Sequence, residues 1–388
     1  MTAPSTEKFI VPIGPQHPAL KEPAHFEFTV DSEMVTASSA RFGYVHRGIE
    51  KGAENRNWIQ ALYLVERICG ICSNAHSTAY ALGVEKLAGV QAPPRALAIR
   101  QIFIELERIH SHMLWAGVAA HEAGFDTLFM YSWRDRETVM DLLEAISGNR
   151  VNYSMNVLGG VKYDITPALS DAVLRGIDLL GKRLEYYLDV ATTEETFVQR
   201  TRGVAPMTAA QAESLGTTGP TARASDVQRD VRVDSPYLLY DQFPVTLVTE
   251  TAGDLQARFT VRIKELFESL RVIRALLEHL PPGELTARMP RRVREGEVVS
   301  RVEAPRGELF YFIKSAGGEN PYRVRVRTPS LCNFSSVLVG VIGHRVADIP
   351  MILAGIDPCF SCNDRSVIFR RAGEDDASAK GGSLPSAL

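Results

Sequence analysis

Four of the five cysteines in this 388-residue chain form two Cys-x-x-Cys pairs near opposite ends, Cys69 with Cys72 and Cys359 with Cys362. Two thiolates at that spacing point the same way from a tight turn or a helix start, so each pair can chelate a metal. Together they make a four-sulfur site, and soft thiolates select nickel, copper(I), zinc or iron over magnesium or calcium. The two ends of the chain are therefore expected to meet around a metal. Structural zinc usually keeps its pairs roughly 15–20 residues apart. Cys72 and Cys359 lie 287 positions apart (359 − 72), which excludes a local ribbon but leaves a long-range zinc staple open. A thioredoxin-like redox motif would use one pair and leave the other unexplained. The neighbouring residues do not show the spacings of ferredoxin iron–sulfur clusters.

The elements that must position these thiols belong to an ordinary globular chain, 45% hydrophobic and 23% charged, with ample core at this length. A net charge of −3 and the lack of a basic stripe give no reason to expect nucleic acid as a partner. An odd number of cysteines with local pairing does not read as a secreted disulfide framework. Residues 1–5 lack the basic and apolar regions of a signal peptide. No run approaches the ~18 apolar residues needed to span a bilayer. The expected location is cytoplasmic, with docking on a membrane partner left open.

Periodicity predicts an α+β fold. Residues 8–12, 25–30 and 34–42 read as strands, with a turn at Asp31-Ser32-Glu33. Helical pattern covers 56–67, 73–87, 95–123, 127–147, 168–193 and 253–280. Pro93-Pro94 opens the third of these, since proline is tolerated in a first turn. Their apolar stripes, among them Ile99, Ile102, Phe103, Leu106, Ile109, Met113 and Leu114, read as the core of an antiparallel bundle. Strands return at 297–302, 308–314 and 322–328, with a turn at Gly317-Gly318-Glu319-Asn320. Segment 217–232 is polar and reads as a surface loop. The expected organisation is one domain over 1–365, with a β-rich part (8–50), a helical bundle (55–285) and a second β-rich part (291–365). Residues 366–388 form an extension.

The residues around the thiols narrow the reading. Glu66-Arg67-Ile68-Cys69-Gly70-Ile71-Cys72-Ser73-Asn74-Ala75-His76 resembles the N-terminal signature of nickel–iron hydrogenase large subunits. Asp357-Pro358-Cys359-Phe360-Ser361-Cys362-Asn363-Asp364-Arg365 resembles their C-terminal signature. Arg365 stands where many soluble hydrogenases carry His, which is similar to the membrane-bound energy-converting (group 4) members. Gly14–Ala19, Tyr44–Lys51 and Glu107–His112 look like that group too, and like the quinone-site subunit of respiratory complex I. The resemblance runs from about residue 9 to residue 365.

It implies a NiFe(CO)(CN)2 centre, with Cys69 and Cys359 as terminal nickel ligands and Cys72 and Cys362 bridging to iron. Heterolytic H2 cleavage needs a base, and Cys359 matches the thiolate given that role. Glu22 would take its proton, Arg306 would overhang the metals, and His76 would donate a hydrogen bond to sulfur. Glu50 matches a carboxylate that binds a magnesium-type ion in soluble relatives. With Arg365 in place of that site's His, an Arg365–Glu50 ion pair is expected to replace the ion.

The resemblance also implies partners: a small subunit with a [4Fe-4S] cluster, an antiporter-like membrane arm and a ferredoxin-type or other electron donor. The protein would sit on the cytoplasmic face of the membrane through them. Residues 366–388 are expected to be removed on maturation, and Cys332, without a partner by spacing, to be a buried small side chain. Two alternatives stand beside this: a complex I-type quinone reductase subunit, whose family lacks the four cysteines, and a non-catalytic subunit stapled by structural zinc.

Overall fold

A computed structural model describes residues 8–363, 365 and 367–369. Strands β1 (Lys8–Ile13), β2 (His25–Asp31) and β3 (Met34–Phe42) form an antiparallel meander. Alternation along β2 buries Phe26, Phe28 and Val30 and leaves Glu27 outside, as a one-sided sheet requires. Two short helices follow, α1 (Ile49–Glu54) and α2 (Trp58–Glu66). A capping box starts α2: Gln60 N–H donates to the Asn57 side chain at 2.9 Å, and Asn57 N–H donates back to Gln60 Oε1 at 3.3 Å. The first cysteine loop then leads into α3 (Ser73–Ala88), for which Cys72 is the N-cap residue.

The bundle contains α4 (Pro94–Glu122) and α5 (Asp126–Ser147), then a ribbon of β4 (Asn156–Val157) and β5 (Gly160–Val161), and α6 (Pro167–Thr193). Four short helices, α7 (Glu195–Thr201), α8 (Ala209–Ser214), α9 (Pro220–Arg223) and α10 (Val231–Asp234), precede the long α11 (Leu255–Glu278). Helix α4 packs on α5 and α11, and α6 packs on the same two. The predicted stripe is the core: Ile99, Ile102, Phe103, Leu106, Ile109 and Met113 are buried. Leu114, on the same stripe, is only partly buried and lines a cavity that also touches Pro358 and Cys359.

A second antiparallel meander follows, β6 (Gly296–Ala304), β7 (Gly307–Ser315) and β8 (Arg323–Arg327). Helix α3 packs on β6 and β7, so the first cysteine loop is seated on this sheet. Then come α12 (Pro329–Gly340), α13 (Ile349–Gly355), the second cysteine loop and β9 (Val367–Phe369). The second loop is tied to the N-terminal sheet by aromatic packing. Phe360 stacks on Phe334 of α12 (centroids 5.2 Å), and Phe334 meets Phe42 of β3 (4.2 Å). Each such ring contributes roughly 1.5–3 kcal/mol on burial.

Two expectations are corrected. Segment 217–232 is largely buried rather than a surface loop. Its polarity is internal: Arg223 donates to Glu265 and Glu303, and Arg232 pairs with Asp230 and Glu105. Against the cost of burial, Arg108 and Arg232 hold the Glu105 carboxyl down at about 2. Cys332 is half-buried rather than buried, because it faces away from the α12 side that carries Phe334. The start of the 366–388 extension is strand β9, antiparallel to β3. The expected removal of residues 366–388 falls on a segment of which 366 and 370–388 lie outside the described residues.

Candidate metal centre

The two cysteine loops meet. Cys69 Sγ lies 3.3 Å from Cys359 Sγ, and Cys72 Sγ lies 3.3 Å from Cys362 Sγ. All four are buried. The sulfurs of Cys69, Cys359 and Cys362 lie within 4.8 Å of one another, as do the ligand atoms of Cys72, His76 and Cys362. Hydrogen bonds from Cys359, Cys362 and Cys72 pull the Cys69 thiol well below its ordinary value. Cys362 is pushed well above it by its bonds to Cys359, Cys69 and Cys72, with burial adding to the shift. The cluster takes one negative charge readily and resists the next. A thiophilic cation would remove that penalty, so the donor set fits a metal.

Several groups outside the thiols set this geometry. Arg47 clamps both loops: it donates to the carbonyls of Arg67 and Ile68 in the first (3.1 and 2.7 Å) and of Ser361 in the second (3.2 Å). Cys359 N–H donates to Ser330 Oγ at 3.1 Å. Arg306 sits in the tight turn between β6 and β7, where Ala304 pairs with Gly307. Its guanidinium donates to the Asp357 carbonyl (2.7 Å) and carboxylate (2.8 Å), and to Ser111 Oγ (3.4 Å). Asp357 has φ 54°, a left-handed conformation uncommon outside glycine. The forked grip of Arg306 holds it there. The turn is pressed from behind by Gly219, where a Cβ would lie 2.4 Å from the Arg306 carbonyl oxygen. Asn333 also donates to that carbonyl, at 3.4 Å.

The other expected residues fall around the same point. His76 Nδ1 is 2.7 Å from the Tyr311 hydroxyl and Nε2 is 3.6 Å from Cys362 Sγ. Burial lowers its pKa to about 4, so the ring is neutral. With Tyr311 donating to Nδ1, the Nε2 proton faces the sulfur. Glu22 accepts from Ser361 N–H at 2.8 Å and from the Ser361 hydroxyl; against the lowering bond to Cys362, the bond to Cys69, burial and, last, the Glu22 charge push the Cys359 thiol well above its ordinary value. Glu50 accepts from Arg365 at 2.6 Å, Val326 N–H at 2.8 Å and Arg325 at 3.4 Å. The expected Arg365–Glu50 ion pair is thus formed.

Sequence reasoning missed the supporting residues. Arg47, Glu107 and Asp357 lie inside motifs already singled out, so their signal was visible without a role. Ser111 lies in the same motif as Glu107, whereas Asn333, Tyr311 and Gly219 carry no local signal at all. Glu107 is buried and accepts from Asn74 and Ala75 N–H at 2.6 and 2.9 Å, at the start of α3. Burial outweighs those donors and raises its carboxyl to about 8. The unpartnered Asp357 Oδ2 and Asn363 Nδ2, both buried, also flank the second loop. Buried polar atoms of this kind ordinarily find a ligand or water, which agrees with a site built for a bound group.

Among known proteins, the family of the respiratory-chain NADH dehydrogenase 49 Kd subunit matches residues 122–295 and 285–365. The nickel-dependent hydrogenase family matches residues 47–116. The chain is 38% identical over 358 residues to the carbon monoxide-induced hydrogenase of Rhodospirillum rubrum, covering 92% of this chain and 99% of that one. It is also 38% identical over 355 residues to an NADH-quinone oxidoreductase subunit of Dehalococcoides mccartyi, covering 91% and 97%. The membrane-bound sulfane sulfur reductase, an archaeal respiratory membrane complex, contains a chain that superposes with TM-score 0.89 at 31% identity. That match covers 94% of this chain and 100% of the other.

Proposed function

This chain belongs to the family that unites membrane-bound nickel–iron hydrogenase large subunits with complex I 49 kDa subunits, and on that premise we propose that it is the catalytic subunit of an energy-converting hydrogenase. The observation that carries the reading is the buried four-thiol cluster, with Cys69 opposite Cys359 and Cys72 opposite Cys362. A quinone site has no use for four thiols gathered at one point. A zinc staple has no use for a buried arginine and a carboxylate beside it.

Cys69 and Cys359 would hold nickel, and Cys72 and Cys362 would share it with iron. When bound, that group supplies the place where H2 is formed or split. The chain supplies the rest. Cys359 Sγ takes and returns the proton, and Glu22, beside it in the same cavity, passes it on. Ser361 holds the Glu22 carboxylate in place through two hydrogen bonds. Arg306, buried and fixed by Asp357, keeps a positive charge at the cluster where low dielectric makes it count. His76 stabilises the Cys362 thiolate.

Electrons leave through a partner, since Cys332 is the only other cysteine. We assign that role to a small subunit with a [4Fe-4S] cluster, fed by a ferredoxin-type or other donor and attached to an ion-translocating membrane arm. Among the described residues no helix is long and apolar enough to cross a membrane. We place the chain against the cytoplasmic face through its partners.

The test is the infrared spectrum of the complex, purified without oxygen from a host with hydrogenase maturation machinery. Metal-bound carbonyl and cyanide bands are expected. A fully assembled complex that contains zinc and lacks those bands would make the thiols a staple and sink the proposal. A second expectation concerns Glu50. Its ion pair with Arg365 takes the place of a divalent cation, so chelator treatment should remove no magnesium from the chain and leave its Tm unchanged. Arg365→Ala should cost only about 1 kcal/mol, because the pair is part-exposed. Density for a divalent ion between the two residues would overturn this.

A further inference from the structure

A cavity of about 260 Å3 runs from the surface to Cys359. Cys359, Glu22 and Arg306 line it together with Leu114, Trp115, Val118, Trp133 and Ala354. Apolar cavities of this order admit small apolar molecules and gases such as xenon. The two tryptophans differ. Trp115 is only 3% exposed, its Nε1–H donates to the Ala354 carbonyl at 2.6 Å, and the Arg262 guanidinium lies 4.2 Å from its ring. It is a fixed wall.

Trp133 is 40% exposed while lining the same cavity. Its polar anchor is a long 3.4 Å hydrogen bond to the Leu114 carbonyl, and Phe129 flanks it at 4.8 Å. The indole lies flat on α4 because residue 117 is glycine. A Cβ at Gly117 would fall 2.5 Å from Trp133 Cδ1 and 2.7 Å from Nε1. A ring that is 40% exposed, lines the cavity and has one long hydrogen bond as its polar anchor is a leaf that can swing outward.

We propose that Trp133, seated on Gly117, is the gate of this cavity and sets the size of molecule that reaches Cys359. Diatomic gases pass and bulkier reagents are held back. The identity of the gas as H2 rests on the hydrogenase reading; the gate does not. Val118, on the wall near Gly117, offers an independent handle, since a large side chain there would plug the passage.

The test uses the full chain produced without metal, so that Cys359 is a free thiol at the cavity floor. Alkylation by small iodoacetamide and bulky N-phenylmaleimide is followed by peptide mass mapping. Trp133→Ala should raise the N-phenylmaleimide rate at Cys359 by about tenfold, the effect of a modestly lowered access barrier. Iodoacetamide should respond less. Val118→Trp should slow both reagents. Cys332, half-buried and outside the cavity, serves as the internal control and should not change. A Cys359 rate indifferent to both substitutions, or one rising in step with Cys332, overturns the gate. Failure of the assembled complex to turn over H2 would instead strike the hydrogenase reading and leave these thiol rates standing.

Discussion

Cys359→Ser is expected to yield a folded chain that carries no stoichiometric nickel and turns over H2 only at background. The loss would come from the ligand and not from the scaffold. The loop is held by Arg47, by Ser330 through the Cys359 backbone N–H, and by the Phe360 stack, none of which needs the sulfur. A serine hydroxyl stays protonated at neutral pH and is a hard donor, so it neither discharges onto a soft cation nor holds it. Nickel content by elemental analysis and H2 evolution with an artificial donor check the result. Cys332→Ser, which removes a thiol outside the cluster, should keep both. A Cys359→Ser complex that still reduces quinone or sulfur at the parent rate would move the protein to the chemistry of its other relatives.

Glu22→Gln should lower turnover by about 10²- to 10⁴-fold, the usual worth of a positioned proton-transfer group, with nickel retained. Gln keeps one oxygen to accept from Ser361 N–H, so the loop geometry should survive. It cannot carry a proton away from Cys359. Unchanged carbonyl and cyanide bands, together with lost H/D exchange, would separate this from damage to the site. Wild-type turnover in that variant would remove Glu22 from the relay.

The sequence by itself determined the elements and the chemistry. Period-two alternation over 25–30, the turn that returns the chain as a partner strand over 34–42, the helical stripe from Ile99 to Met113 and the proline at the head of α4 are local signals, and each became the element expected. The cysteine spacing pointed to a thiolate metal site because donor type and local turn geometry are properties of four adjacent residues. The motif resemblance then placed Glu22, Arg306 and His76, and the structure brings all three to the cluster. Glu50 and Arg365 were likewise legible as a pair, since the change from His to a cation beside a carboxylate has one simple electrostatic outcome.

Only the tertiary structure decided what holds that cluster in register. Segment 217–232 read as a surface loop because its charges are indistinguishable in sequence from solvated ones. Buried, Arg223 and Arg232 are neutralised by Asp230 within the segment and by Glu265, Glu303 and Glu105 from three other elements. Arg47, Asn333, Gly219 and Ser111 reach the site across long stretches of chain. The Trp133 leaf exists because a glycine on α4 faces it from a different helix. Such contacts have no period and no spacing. They arise when separate elements pack, and the desolvation that makes an Arg or a Glu consequential appears only then.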